Sequence, residues 1–135
     1  MPRITIIDEN EKNVIHRYSS LAKTLAPEEV QVVLVGYSEK NIFARPELAK
    51  KGFANVNFGL ENIPKADIYF CDGLKGQCFE LADRLGKDKT YIYSNDDYVN
   101  DRANREGYKL ANDLEEIVEG LKEWQKKKIL KEDLL

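Results

Sequence analysis

Aliphatic side chains fill five of the six positions in Val30-Gln31-Val32-Val33-Leu34-Val35. A strand with one face in water alternates apolar and polar residues, whereas a strand that is buried on both faces is apolar almost throughout. The run therefore predicts a strand of a parallel sheet that helices cover on both sides.

The segments before and after this strand alternate between strand and helix patterns. β-branched and aromatic residues predict further strands at 3–7, 67–71, 90–93 and 108–111, with a short edge strand at 56–58. Apolar residues at helical spacing predict helices at 14–25, 46–51, 78–85, 98–106 and 114–124. This alternation predicts one α/β domain with a doubly wound parallel sheet, flavodoxin-like or Rossmann-like, of five or six strands with helices on both faces.

The strand order decides where the polar residues at the strand ends meet. Five strands would follow the order 2-1-3-4-5, and six would follow 3-2-1-4-5-6 if the segment 56–58 joins the sheet. Both orders place the first strand beside the strand at 67–71. In such sheets the ligand crevice lies at the carboxyl ends of the strands, where the winding reverses. We expect it to hold Asp8, Glu9, Asp72 and Ser94.

The composition is that of one folded domain. The chain has 135 residues and a mass of 15.5 kDa, and 42% of its residues are hydrophobic, which is enough for a single core. We expect one domain at 1–125, followed at 126–135 by a lysine-rich helix extension or tail.

Charge and hydropathy exclude two classes of partner. The chain has 21 basic and 24 acidic residues and a net charge of -3, which excludes an overall basic field for nucleic acid. No apolar run approaches the roughly 20 residues that a membrane span needs. The first residues enter a strand pattern without a signal-peptide pattern, so we expect a cytoplasmic protein.

The inventory of reactive side chains also limits the chemistry. The chain has one histidine, His16, and two cysteines, Cys71 and Cys78, whose spacing suits neither a zinc ribbon nor a redox Cys-x-x-Cys pair. Carboxylates, hydroxyls, amides and backbone groups must therefore carry any polar chemistry.

Several patterns, in order along the chain, resemble the response-regulator receiver domain. Ile6-Ile7-Asp8-Glu9-Asn10 resembles its first strand with an acidic pair, and the segment 66–73 resembles the strand that ends in the phosphoacceptor aspartate. Tyr91-Ile92-Tyr93-Ser94-Asn95 resembles the strand that ends in a small hydroxyl residue. The segment 101–117 resembles the closing helix, strand and helix. The resemblance covers most of the chain outside about 39–64.

The resemblance implies signalling roles for these residues. Asp72 would accept a phosphoryl group, and Asp8, Glu9 and Asp72 would hold a Mg²⁺ ion that neutralises charge during the transfer. Ser94 would donate a hydrogen bond to a phosphoryl oxygen. The domain would relay the signal by contact with a protein partner, either a kinase or an output protein.

One departure from the receiver pattern bears on phosphorylation. Receivers place a lysine-proline pair after the last strand, whereas Ala111-Asn112 stands there in this chain. Lys109, two residues earlier, is the candidate substitute counter-ion, and on a strand it would share a face with Ala111. If no lysine takes this role, the domain would be a receiver-like binding module that works without phosphorylation.

A second resemblance competes with the first over about 66–94. Gly76-Gln77-Cys78-Phe79-Glu80-Leu81, followed by Lys89-Thr90-Tyr91-Ile92-Tyr93, is similar to the nucleoside 2-deoxyribosyltransferase family. It implies that Glu80 is a nucleophile on the sugar and that Asp72 assists it. A third hypothesis is an interaction module without a small-molecule site.

Each candidate residue also has a purely structural interpretation. Asp8 and Asp72 could satisfy backbone N–H groups in turns or cap helices. Glu80, in the first turn of a predicted helix, favours the helix dipole whether or not it is catalytic. Ser94 stands in a sequence that is typical of a turn followed by an N-cap.

The last predicted helix offers a possible contact surface. Trp124 falls on its apolar face, which predicts a core position. If that face is only partly covered, its residues Trp124, Ile129 and Leu130 could bind a partner.

Overall fold

The protein is described here by a computed structural model that covers residues 3–25, 27–36 and 44–133, with side chains described outside positions 27, 118, 125 and 128–133. The strands in these ranges are β1 Ile4–Asp8, β2 Val30–Leu34, β3 Asn55–Phe58, β4 Ile68–Asp72, β5 Thr90–Tyr93 and β6 Lys109–Leu110. The α-helices are α1 Glu11–Thr24, α2 Ala44–Lys50, α3 Gln77–Leu85, α4 Asp97–Glu106 and α5 Leu114–Asp133.

The six strands form one parallel sheet in the order β3-β2-β1-β4-β5-β6. The predicted fold class is confirmed, and the predicted segment 56–58 is part of the edge strand β3. The winding reverses between β1 and β4, whose register pairs Ile7 with Cys71. Asp8 and Asp72 follow that pair directly, so they lie at the carboxyl ends of neighbouring strands.

Helices cover the sheet on both faces, as the run in β2 predicts. Val32 belongs to the core cluster beneath α1, α2 and α5, and Val33 belongs to the cluster beneath α3 and α4. Both valines are 0% exposed. Strand β2 therefore contributes alternate side chains to two separate cores, and each core benefits from the burial of apolar surface.

The two faces differ in how the helices cover β1 and β2. On one face, α1 packs over these strands through buried Val14, Tyr18 and Leu21. On the other face, the connection between β3 and β4 crosses at 59–67 without a helix, and it adds only the half-buried Leu60 and Ile63 to the core. Among the described residues, the α3 face is therefore covered less near the carboxyl ends of β1 and β2.

The last helix is longer than its apolar pattern predicts. Helix α5 runs to Asp133, so the lysine-rich residues at 126–133 continue the helix, and the end of the predicted tail at 134–135 lies outside the described residues. Trp124 is 41% exposed, so its predicted core position is wrong. Among the helices described, none combines the length and the hydropathy that crossing a membrane requires.

Candidate functional site

Asp8 is a fully buried carboxylate at the end of β1. Its side chain is 0% exposed, and its Oδ1 accepts hydrogen bonds from the backbone N–H groups of Glu9, at 2.7 Å, and Asn10, at 3.2 Å. The side-chain amide of Asn13, on α1, donates a third hydrogen bond to the same oxygen at 3.3 Å. Asp8 therefore fixes the turn between β1 and α1, as its structural interpretation predicts.

Asp72 has a corresponding position at the end of β4. Its Oδ2 accepts a hydrogen bond from the backbone N–H of Leu74 at 3.2 Å, and its side chain is 14% exposed. The carboxylates of Asp8 and Asp72 are thus brought to the same place between neighbouring strands. This is the juxtaposition that the strand order predicts.

A guanidinium group, which the sequence analysis did not identify, joins the two carboxylates. Arg17 reaches from α1, and its Nη1 donates hydrogen bonds to Asp8 Oδ2 at 3.1 Å and to Asp72 Oδ1 at 2.7 Å. The same nitrogen lies 3.3 Å from the carbonyl oxygen of Tyr93, and the Tyr93 ring stacks against the guanidinium at 4.6 Å. The Arg17 side chain is only 6% exposed. We call Asp8, Arg17 and Asp72 the ion-pair cluster.

A pattern in the sequence could have revealed Arg17. Asn10, Asn13 and Arg17 recur at spacings of three and four, which places them on one stripe of α1. This stripe borders the apolar face that contains Val14 and Tyr18. Two of these polar side chains, Asn13 and Arg17, bond to Asp8, and Asn10 Oδ1 caps α1 by accepting from Lys12 N at 2.7 Å.

Burial and charge together perturb the groups of the cluster. The pKa of Asp8 is raised from 3.8 to about 6, because burial and, after it, the Asp72 carboxylate outweigh the lowering effects of Arg17 and the hydrogen bonds. Burial opposes ionisation of Arg17, but its hydrogen bond to Asp72 and the two nearby carboxylates outweigh burial and raise its pKa. The Arg17 guanidinium therefore stays charged.

A buried hydroxyl lies beside the cluster. Tyr18 Oη has no hydrogen-bond partner among the described residues, and its residue is 0% exposed. Burial raises the pKa of Tyr18 well above its ordinary value, and the Asp8 carboxylate contributes to the rise. The tyrosine is therefore a neutral group that packs against Phe70 and Tyr93.

The cluster does not fit a Mg²⁺ ion in this arrangement. Mg²⁺ requires octahedral coordination by oxygen atoms, including one or two carboxylates. The carboxylate oxygens of Asp8 and Asp72 face N–H donors and the Arg17 guanidinium instead, and Glu9 is exposed outside the cluster. Within the described ranges, no three acidic, histidine or cysteine residues are grouped so that they could hold a metal ion. The predicted Mg²⁺ site at these residues stays a prediction.

Ser94 lies next to the loop that follows Asp72. A Cβ atom at Gly73 would lie 2.8 Å from Ser94 Oγ, so any larger residue there would require the Ser94 side chain to shift. Ser94 Oγ accepts a hydrogen bond from Asp96 N at 3.0 Å, and Asp96 caps α4 by accepting from Tyr98 N at 2.9 Å. Ser94 thus connects the Asp72 loop to the beginning of α4, and it also has the predicted turn geometry.

Lys109 lies away from the cluster. Its Nζ donates a hydrogen bond to the carbonyl oxygen of Asp88 at 2.8 Å, and Asp88 precedes β5. The amine is therefore directed toward the amino ends of the strands, whereas Asp72 lies at a carboxyl end. Lys109 Nζ therefore does not lie beside Asp72 in this arrangement, where Arg17 supplies the positive charge, and the counter-ion role of Lys109 stays a prediction.

An open crevice lies on the α3 face, beside the carboxyl ends of β1, β2 and β4. This crevice, of about 560 Å³, is lined by Glu9, Val35, Gly36, Leu74, Lys75 and Gln77. A smaller cavity of about 190 Å³ is lined by Leu60, Gln77, Glu80, Leu81 and Arg84. Gln77 lines both, so Glu80 lies one helical turn from the crevice, while Asp72 lines neither.

The backbone at the edge of the crevice is strained. Leu74 and Lys75 have φ angles of +46° and +55°, and Gly76 continues the left-handed run with +96°. Left-handed conformations cost non-glycine residues about 1–2 kcal/mol each. Buried Leu74, which is 3% exposed, and the bond from its N–H to Asp72 hold this loop in place.

Comparisons with known proteins give no relative: no protein-family model, no curated protein and no solved structure matches this chain.

The raised pKa of Asp8 predicts how this residue affects stability. The pKa of Asp8 is about 6 in the folded protein, against an ordinary value of 3.8. Between these two pH values the folded state therefore keeps a proton on Asp8 that the unfolded state has already released. The contribution of Asp8 to the free energy of unfolding therefore falls as the pH rises from about 4 to about 6, by about 3 kcal/mol, and is constant above.

This effect is measurable as the difference between the wild type and Asp8→Asn in urea unfolding from pH 4 to pH 8. We expect the wild type to lose about 3 kcal/mol relative to the variant across that range. A relative gain for the wild type as the pH rises would mean that Arg17 stabilises the carboxylate more than burial and Asp72 destabilise it.

Removal of the guanidinium should leave two adjacent carboxylates without a cation. We expect Arg17→Met to lower the free energy of unfolding by about 3–5 kcal/mol at pH 8, and by less at pH 5, where one carboxylate can take up a proton. Arg105→Met, on the exposed surface of α4, is the matched control and should change stability by less than about 0.5 kcal/mol. Equal losses in both variants would show that the cluster does not stabilise the fold.

Proposed function

We propose that the chain is a receiver-like interaction domain that relays a signal by protein contact, without phosphorylation and without a metal ion. One observation carries this proposal: the Arg17 guanidinium occupies the space between Asp8 and Asp72, where the resemblance to receivers implies Mg²⁺. The Arg17 side chain places one positive charge permanently between the two carboxylates and so offsets half of their negative charge. The place that a receiver fills with an ion would then be filled by a side chain of this protein.

The geometry offers a route from the cluster to an exposed surface. Asp72 is followed by Gly73, whose close approach to Ser94 places the Asp72 loop against the turn that begins α4. In the first turn of α4, Tyr98 is 68% exposed. Tyrosine is enriched at protein interfaces, so the beginning of α4 is the contact surface that we propose for the partner.

The proposal predicts that phosphoryl analogues do not act on the protein. In amide NMR spectra of the wild type, millimolar Mg²⁺ with beryllofluoride should leave the signals of Gly73 and Ser94 unchanged. The same proteins should be captured from a lysate by the wild type, by Asp72→Asn and by wild type treated with acetyl phosphate. The amount of each captured protein should be lower with Tyr98→Ala. Arg105→Ala, also on exposed α4, is the control for the surface substitution.

Two results would contradict this proposal separately. Saturable shifts around Asp72 and Ser94 that vanish in Asp72→Asn would mean that the domain is phosphorylated like ordinary receivers. Capture that Tyr98→Ala and Arg105→Ala leave equally unchanged would remove the contact surface at α4.

A second candidate function is glycosyl transfer from a nucleoside, and the position of Glu80 favours it. Glu80 and Gln77 line one cavity, and Gln77 extends into the crevice where ligands of doubly wound sheets bind. The Glu80 carboxylate would attack the anomeric carbon, and the base would leave with the bonding electron pair and take up a proton. A second base would then displace the carboxylate. Asp72 would not assist, because it belongs to the ion-pair cluster.

This candidate predicts base exchange between a 2′-deoxynucleoside and a free base, measured by chromatography. Glu80→Gln should abolish exchange, because an amide is not a nucleophile at this carbon, whereas Glu47→Gln, at an exposed position on α2, should retain it. Absence of exchange with all four deoxynucleosides would end this candidate.

A further inference from the structure

A cavity of about 510 Å³ lies at the amino ends of β1 and β2, at the opposite end of the sheet from the ion-pair cluster. Its lining residues come from the segments before these strands, from β2 and from the connection between β3 and β4: Arg3, Glu28, Glu29, Gln31, Pro64 and Lys65. Thr5 Oγ1, on buried β1, donates a hydrogen bond to the carbonyl oxygen of Pro64 at 3.0 Å, which fixes the connection over the strand. We call this space the amino-end cavity, and its volume is within the range of small-molecule sites.

One wall of the amino-end cavity is a buried carboxylate without a partner. Glu29 ends the 3₁₀ turn Pro27–Glu29 that leads into β2, and it is only 6% exposed. Its Oε2 is buried and forms no hydrogen bond with the described residues. Such a carboxylate is unfavourable, because it has lost its hydration and gained no donor or cation in return. A cationic group that binds in the cavity beside Glu29 would offset this cost.

Two basic side chains and a second acidic one line the same cavity. Arg3, Lys65 and Glu28 are all exposed. Strands β1 and β2 are paired from their first residues, so Arg3 and Glu29 directly precede paired positions of neighbouring strands. Within the described ranges, nevertheless, none of the four charged side chains of the cavity forms an ion pair. Positive and negative groups thus line one space without neutralising each other.

We propose that the amino-end cavity binds a small zwitterion of the amino-acid class. The ammonium group of the ligand would bind to Glu29, with Glu28 adding to the attraction. The carboxylate of the ligand would bind to the Arg3 guanidinium and the Lys65 amine. A simple amine would be repelled by the two basic groups and a simple carboxylate by the two acidic ones, so a ligand with both charges suits the cavity best. This binding is independent of the proposed relay and of the second candidate, since it uses none of their residues.

Amide NMR spectra of the whole chain test this proposal with small probes. The zwitterionic probes are the free amino acid alanine, whose two charges are close together, and 4-aminobutanoate, whose charges are separated by a flexible chain. Butylammonium and butanoate share the four-carbon body of 4-aminobutanoate but have only one charge each. At least one zwitterion should shift the amide signals of Glu29, Gln31 and Lys65 saturably at about 1 mM, and both singly charged probes should require concentrations about tenfold higher.

Three variants test which groups of the cavity hold the probe. Glu29→Gln keeps the size of the side chain and removes its charge, so it should weaken binding of the zwitterion about tenfold without lowering the free energy of unfolding. Arg3→Gln and Lys65→Gln should each weaken binding of the zwitterion about threefold but should not weaken binding of butylammonium, which has no carboxylate. Glu61→Gln is the control, because Glu61 is exposed on the same connection as Lys65 but does not line the cavity.

Several results would overturn the zwitterion site. Absence of saturable shifts with both zwitterions at about 50 mM would mean that the cavity takes no such ligand. Butylammonium that binds as tightly as the better zwitterion would mean a site for simple cations, and unchanged binding in Glu29→Gln would place the probe elsewhere. Equal losses of stability in Glu29→Gln and Arg3→Gln without any probe would mean that Arg3 itself neutralises Glu29 in solution.

Discussion

A single guanidinium group joins three strands of this sheet at the point where its winding reverses. Arg17, from α1, bonds to the carboxylates at the ends of β1 and β4 and to the backbone at the end of β5. Two ionised carboxylates could not share so dry a space without a cation, because desolvation and mutual repulsion would force one of them to become neutral. The position of α1, the turn after β1 and the loop after β4 all depend on this interaction.

The buried cluster and the open crevice lie on opposite faces of the sheet, although neighbouring residues contribute to them. Asp8 follows the face of Ile6 and enters the cluster beneath α1, whereas Glu9 lines the crevice on the α3 side. Successive residues of a strand point to opposite faces, so an adjacent acidic pair at a strand end is divided between two environments. A ligand in the crevice would therefore meet Glu9, Lys75 and Gln77, and not Asp72.

The strands and their order could be predicted from the sequence because burial on both faces leaves a clear pattern, as in β2. The meeting of Asp8 and Asp72 followed from that order. Arg17 was not predicted, because a charged residue on a helix is ordinarily placed on the solvent-exposed face. Only its position on one stripe with Asn10 and Asn13 distinguishes it from other charged residues of the helix. The direction of the Lys109 amine could not be predicted, because strand alternation gives the face of a residue but not the direction of a long, flexible side chain. Trp124 lies on the apolar face of α5, but no local sequence pattern shows how much of that face other elements bury.

The central place of β1 has a consequence for synthesis of the chain. This strand is made first, yet one of its two partners is β4, which follows about 60 residues later. During translation one edge of this strand, which is fully buried in the finished fold, stays unpaired, and unpaired strand edges recruit other chains. The nascent protein is thus most prone to aggregation in the interval before β4 emerges, and slowing the ribosome within that interval would prolong the hazard.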